Sequence, residues 1–87
     1  MDTLKDFGWA LVELRAGKRV YRKGWNGKGM WLDLVPVNEY TVFNINNGLL
    51  PWIGMKTAND CFVPWLASQT DILAEDWEIA EDWEIVV

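Results

Sequence analysis

Histidine is absent from this chain and cysteine occurs once, as Cys61. The first absence removes the commonest general base, the Ser–His and Cys–His nucleophile pairs, and every histidine-ligated metal site. The second removes an intramolecular disulfide and suits a reducing compartment. No apolar run approaches the roughly 20 residues of a membrane span, and the acidic start at Met1-Asp2 lacks a signal-peptide n-region. The expectation is a cytoplasmic protein with no membrane partner and no cofactor. Bases are also scarce, with eight Lys and Arg against thirteen Asp and Glu and a net charge of −5. That balance argues against general nucleic-acid binding.

What the chain has in plenty is tryptophan, seven residues of it in 87. A chain of this length fits one domain, 1–87, and buries only a modest core. Each buried indole therefore contributes a large apolar area, and oligomerisation would remove more from water. Core or interface packing explains Trp9, Trp31, Trp52, Trp77 and Trp83 without further purpose. So many indoles together leave one or two to stack on something else, and base-on-aromatic stacking is worth about 1–3 kcal/mol.

Charge is unevenly placed. Arg15, Lys18, Arg19, Arg22, Lys23 and Lys28 follow one another with no acid between them. From Asp71 to Glu84 seven acids run with no base. Two readings stand side by side: the two segments neutralise one another as neighbours, or the basic segment receives a small anion such as phosphate.

Leu4, Phe7, Ala10, Leu11 and Leu14 recur at helical spacing. Asp2 and Thr3 are candidate N-caps, Thr3 and Asp6 resemble a capping box, and Gly17 stands where a left-handed C-cap is expected. The first element reads as a helix of about four turns. Short extended pieces come next at Arg19–Arg22, Met30–Val35, Tyr40–Phe43, Leu50–Met55 and Cys61–Trp65, with Pro51 and Pro64 at strand starts or sheet edges. One helix and then sequential strands predict an α+β fold, an N-terminal helix packed on a small antiparallel sheet.

The C-terminus carries a tandem repeat, Ala74-Glu75-Asp76-Trp77-Glu78-Ile79 followed by Ala80-Glu81-Asp82-Trp83-Glu84-Ile85. Two copies are too few for a repeat architecture. A six-residue slip preserves which strand side chains face inward, so either copy could pair as the last strand. Loop length from Asp71 favours the first, leaving residues 79–87 as a strand extension or tail.

Two segments could carry binding chemistry. In Arg22-Lys23-Gly24-Trp25-Asn26-Gly27-Lys28-Gly29-Met30 the glycines allow close backbone approach, the cations suit phosphate and Trp25 offers a flat face. It is neither a P-loop nor a dinucleotide fingerprint, and a tight hairpin, with Asn26-Gly27 as a type I′ turn, explains it as well. In Trp65-Leu66-Ala67-Ser68-Gln69-Thr70-Asp71 a polar run after an aromatic could read a base edge or ribose hydroxyls. The bland reading is that Ser68 or Thr70 caps a short turn and Asp71 caps the next element. Met55-Lys56-Thr57-Ala58 adds a cation and a hydroxyl at a strand end.

These two segments, together with Leu34-Val35-Pro36, Met55-Lys56-Thr57-Ala58 and Val63-Pro64-Trp65 through Trp77, resemble the Thoeris anti-defence family of the second type. The resemblance spans nearly the whole chain from the Phe7-Gly8-Trp9-Ala10 helix. It implies a phage protein that binds and sequesters immune signalling nucleotides without cleaving them. Glycocyclic ADP-ribose is the implied ligand, with cyclic dinucleotides or trinucleotides as further ones, and a homotetramer with pockets at subunit interfaces is the implied assembly. By position it implies Trp25 and Trp65 as stacking surfaces, Asn26 and Gly27 near ribose or phosphate, and Ser68, Thr70 and Asp71 on polar edges. Phe7 and Met30 become apolar walls, and Arg22 or Lys28 offsets phosphate charge. The second hexapeptide and the segment Val37 to Ile53 depart from the family pattern.

Three other functions compete with this one. A protein–protein module would use the tryptophans as hot spots. A single-strand binder would show steep salt dependence. An enzyme would need Asp71 with a second acid as its base.

Overall fold

The computed structural model describes residues 4–25, 28–36 and 50–80. Among the described residues two helices and five strands run in the order α1 (Phe7–Arg15), β1 (Val20–Arg22), β2 (Trp31–Val35), β3 (Trp52–Lys56), β4 (Phe62–Pro64), α2 (Gln69–Leu73) and β5 (Trp77–Ile79). All five strands join one antiparallel sheet in the spatial order β4-β3-β2-β1-β5. The fold is α+β, as the sequence predicts. The expected Tyr40–Phe43 strand, the candidate caps Asp2 and Thr3, and the second hexapeptide from Glu81 on lie outside the described residues.

Helix α1 is shorter than its periodicity suggests, nine residues rather than four turns. Asp6 sets the start, because its carboxylate accepts from the backbone N–H of Trp9 at 2.8 Å. Leu4 and Lys5 before it are drawn away from the helix. Lys5 bridges in parallel to Asp76, and the Trp77 N–H donates to the Lys5 carbonyl. Leu4, counted in the apolar stripe by spacing alone, consequently stands outside the helix and exposed. The other end matches expectation. Gly17 takes φ +87°, and the N–H groups of Gly17 and Lys18 donate to the carbonyls of Leu14 and Glu13, the paired bonds of a Schellman stop.

Register decides the core. The pairs Val20↔Leu32, Leu32↔Met55, Leu34↔Ile53 and Val20↔Ile79 place alternate apolar residues on one face. Ala10 and Leu14 of α1 pack there with Val20, Leu32 and Trp77, all five buried. The connection from β4 to β5 must cross the sheet, since those strands are its opposite edges. It does so on the same face, through Trp65 and α2, so α1 and this crossing together form the second layer. Pro64 sits in the edge strand β4 and Pro51 immediately precedes β3, where a missing N–H breaks no ladder bond.

The opposite face is aromatic as well. Phe62 lies 6.3 Å from Trp31 and 5.9 Å from Trp52, and the Arg19 guanidinium stands 4.7 Å from the Trp31 ring. Gly54 makes this possible, because any Cβ there would run into the Phe62 ring.

Candidate functional site: an aromatic cluster held by an arginine between two aspartates

Four rings from four parts of the chain converge at the β5 edge. Trp77 from β5 is the hub, with 0% exposure. Phe7, from the first residue of α1, lies 5.6 Å from it. Trp25, just past β1, meets it edge-on at 5.5 Å and 81°. Trp65, just past β4, meets it at 6.1 Å and 89°, and also touches Phe7 at 5.9 Å. Edge-to-face geometry places the positive rim of one indole against the negative face of another, worth about 0.5–1.5 kcal/mol per pair beyond burial. Trp25, Trp65 and Phe7 are each half-buried. They are fixed from within and retain surface toward solvent.

Asp71 fixes the indoles' orientation. Its Oδ1 accepts from Arg22 Nη1 at 2.8 Å and from Trp25 Nε1 at 3.2 Å. Its Oδ2 accepts from the Ser68 N–H, while Ser68 Oγ accepts from the Asp71 N–H, a reciprocal capping box at the start of α2. The Asp71 carbonyl accepts from Trp77 Nε1 at 3.3 Å. One short helix thus supplies partners to both Trp25 and Trp77.

Arg22 completes the frame. Its Nε donates to Asp76 Oδ1 at 2.8 Å, so the guanidinium is held between Asp71 and Asp76. Asp76 Oδ2 then accepts from the Gly24 N–H at 2.8 Å, which pins the turn leading into Trp25, itself closed by Trp25 N–H to the Arg22 carbonyl. A Cβ at Gly24 would stand 2.8 Å from that same oxygen. Further along, Glu78 accepts from Lys5 at 2.8 Å and pairs with Lys23 at 3.0 Å. The reading in which the basic and acidic segments neutralise one another is the one observed for Arg22 and Lys23.

These contacts govern the titration behaviour. Hydrogen bonding from Arg22, opposed by burial, holds the Asp76 carboxyl below its ordinary range. Burial pushes Asp71 up, but the bonds from Arg22, Trp25 and Ser68 together bring it lower than usual. Lys5 and then Lys23 lower Glu78. The Asp76 bond raises Arg22, so its charge is permanent.

The sequence-predicted site residues therefore fall into groups. Phe7, Trp25, Trp65, Arg22 and Asp71 come together in the one cluster. Ser68 and Thr70 are exposed on α2, with Ser68 acting as its N-cap. Lys28 is exposed, and Met30 is half-buried just ahead of β2. That end of the loop is tied to β3, because Lys56 Nζ donates to the Gly29 carbonyl at 2.9 Å. Asn26 and Gly27 lie outside the described residues. Sequence reasoning does not single out Asp76 or assign Trp77 to the site. Asp76 stands in the acidic run, in the repeated hexapeptide and in the stretch that carries the family resemblance, and none of these tells it from the acids beside it.

Among the described residues there is no group of three or more His, Cys, Asp or Glu able to hold a metal ion, and no helix long and apolar enough to cross a membrane. What the fold and the cluster define is a small α+β domain presenting braced tryptophans at one sheet edge. Residues 5–80 match the model of the Thoeris anti-defense 2-like domain, and the chain belongs to that anti-defence family. It is also 40% identical over 94 residues to Thoeris anti-defense 2 of Bacillus phage SP01, covering 91% of this chain and 98% of that protein.

Proposed function

We propose that this protein is a phage-type anti-defence sponge, which binds an immune signalling nucleotide and holds it without cleaving it. The observation that carries the reading is the pair Trp25 and Trp65, two half-buried indoles braced on one buried hub. Rings fixed before a ligand arrives lose little entropy on stacking, so more of the contact energy becomes affinity. Family membership supports an anti-defence role inside the host cell. The ligand proposed is glycocyclic ADP-ribose first, with cyclic dinucleotides or trinucleotides as further candidates.

In this reading Trp25 and Trp65 stack on the bases, Phe7 and Met30 wall the pocket, and Asn26 and Gly27 approach ribose or phosphate. Lys28, exposed on its loop, is the better placed cation for phosphate. Arg22 is committed to two carboxylates, so its contribution is to position Trp25. Thr70, exposed on α2, can reach a polar edge, while Ser68 and Asp71 act chiefly by fixing the helix that carries it. Leu66, which follows Trp65, and Leu73 of α2 are exposed at 92% and 76% and offer apolar surface for the proposed homotetramer, whose interfaces would complete the pockets.

Calorimetric titration with glycocyclic ADP-ribose and with a cyclic dinucleotide tests the reading. Wild type should bind one of them tightly, and Trp65→Ala should weaken that binding by about 10- to 100-fold, the share of one stacked base. The ligand should be recovered intact after heat denaturation, and the complex should sediment as four chains of 10.1 kDa. Absence of heat with both ligands, or recovery of a hydrolysed product, would sink it.

A further inference from the structure

The tandem hexapeptide finds only half of its use in the site described above. The first copy fills the β5 position, where its residues have assigned contacts. Ala74 packs against the core, Asp76 takes Arg22 and the Gly24 N–H, and Trp77 is the hub of the rings. Glu78 takes Lys5 and Lys23, and Ile79 pairs with Val20. The second copy offers the same side chains in the same order as Ala80, Asp82, Trp83, Glu84 and Ile85. The family match covers residues 5–80, which take in the first copy and leave out residues 81–85 of the second.

We propose that the β5 position has two interchangeable occupants within one chain, residues 74–79 or residues 80–85, exchanged by a six-residue slip. The slip is even, so Trp83 and Ile85 would face the core as Trp77 and Ile79 do. Identical side chains enter and leave the core, so the burial terms nearly cancel between the two registers. The ion pairs of Arg22, Lys5 and Lys23 are re-formed on Asp82 and Glu84. The carbonyl of Arg19, which now accepts from the Ala80 N–H at 2.8 Å, would accept from Val86.

What separates the registers is small. Leu73 is joined to Trp77 by three residues in the first register and to Trp83 by nine in the second. Tripling a flexible connection disfavours closure by about five-fold. Val86 replaces the buried Ala80, which favours the first register somewhat further. The second register is thus a minor state, on the order of a tenth of the molecules, in the range where a shift in conditions or sequence changes the balance.

This makes an unusual demand on Trp77. Truncating a fully buried tryptophan ordinarily lowers the folding equilibrium by about 10²- to 10³-fold or more. Here Trp77→Ala should lower it by only about ten-fold, the gap between registers, because Trp83 takes the place. Trp83→Ala alone should have almost no effect, and Trp77→Ala with Trp83→Ala should show the full loss. Trp77→Ala lacking residues 81–87 should match that double variant. All four are read by urea unfolding of the full-length or truncated chain as stated.

A second measurement reports the register directly. In a Cys61→Ser background, Tyr21→Cys with Glu78→Cys traps the first register, because residues 21 and 78 are cross-strand partners. Tyr21→Cys with Glu84→Cys makes cross-strand partners in the second register, and Tyr21→Cys with Asp82→Cys, out of register in both, is the control for chance closure and should form no such bond. The 21–84 disulfide should form more slowly but reach completion under oxidation. The proposal is overturned if Trp77→Ala loses as much stability as the double variant, or if removing residues 81–87 from Trp77→Ala changes nothing. It is equally overturned if the 21–84 disulfide fails to form or forms only between chains.

Discussion

Asp71 makes the density of roles at single residues visible. It caps α2, takes one end of the Arg22 guanidinium and orients the Trp25 indole, with both side chains of the ion pair close to 14% exposed. Asp71→Asn keeps the shape but removes the charge, and its amide cannot accept at both oxygens. The chain should lose about 2 kcal/mol of stability, within the range for hydrogen bonds to charged groups, measured by urea denaturation. Nuclear magnetic resonance should show the Trp25 indole N–H moving in the same variant, while that of Trp9, held elsewhere beneath Lys5, stays in place. An unmoved Trp25 signal would show that Asp71 does not set the ring. Much at this scale is legible in the sequence. Trp25, Trp65, Arg22 and Asp71 stand in the two motif segments, Phe7 is added by the family resemblance, and the five do meet in space. Asp76 does not stand out, because choosing it from among several acids requires knowing that β5 lies beside β1.

At the scale of elements, the strands are the more readable part and the helices the less. Alternating residues and prolines mark β1 to β4 to within a residue or two, because strand identity is carried by local sequence. Periodicity overstates helix α1, since nothing local reveals that Lys5 prefers a bridge to Asp76 over another helical turn. The polar run Ser68 to Asp71 admits both a binding loop and a cap. The structure makes Ser68 the cap of a five-residue helix. Elements also meet on the outer face, where β3 offers Gly54 beneath Phe62 of β4. Gly54→Ala should force that ring outward and part it from Trp31 and Trp52, lowering stability by about 1–2 kcal/mol through overpacking. The drop should appear in thermal unfolding and should shrink in a Phe62→Ala background, where no ring is in the way. An equal drop in both backgrounds would refute the steric account.

For the whole molecule, the two ends of the chain are joined by charge. Lys5, Arg22 and Lys23 near one end hold Asp71, Asp76 and Glu78 near the other. All three carboxyls have folded-state values below their ordinary ones. The native state therefore binds fewer protons than the unfolded chain in the carboxylate range, and stability must fall as pH falls. Thermal midpoints should be level from neutrality down to about pH 5 and then drop steadily toward pH 2. In Asp76→Asn the drop should be shallower, because one of the three linked groups is gone. A midpoint that rose on acidification would contradict these pairings.

The sequence by itself determined the fold class, the run of strands, the helix stop at Gly17, the family and most of the aromatic and charged residues that converge. These depend on local chemistry, on side-chain period, turn residues and motif, all of which are written along the chain. Only the tertiary structure decided that Trp77 is the hub, that Arg22 is consumed by Asp71 and Asp76, and that the acidic run closes on the basic one. Those outcomes depend on β5 lying beside β1, a pairing between residues more than fifty positions apart that no local signal can specify.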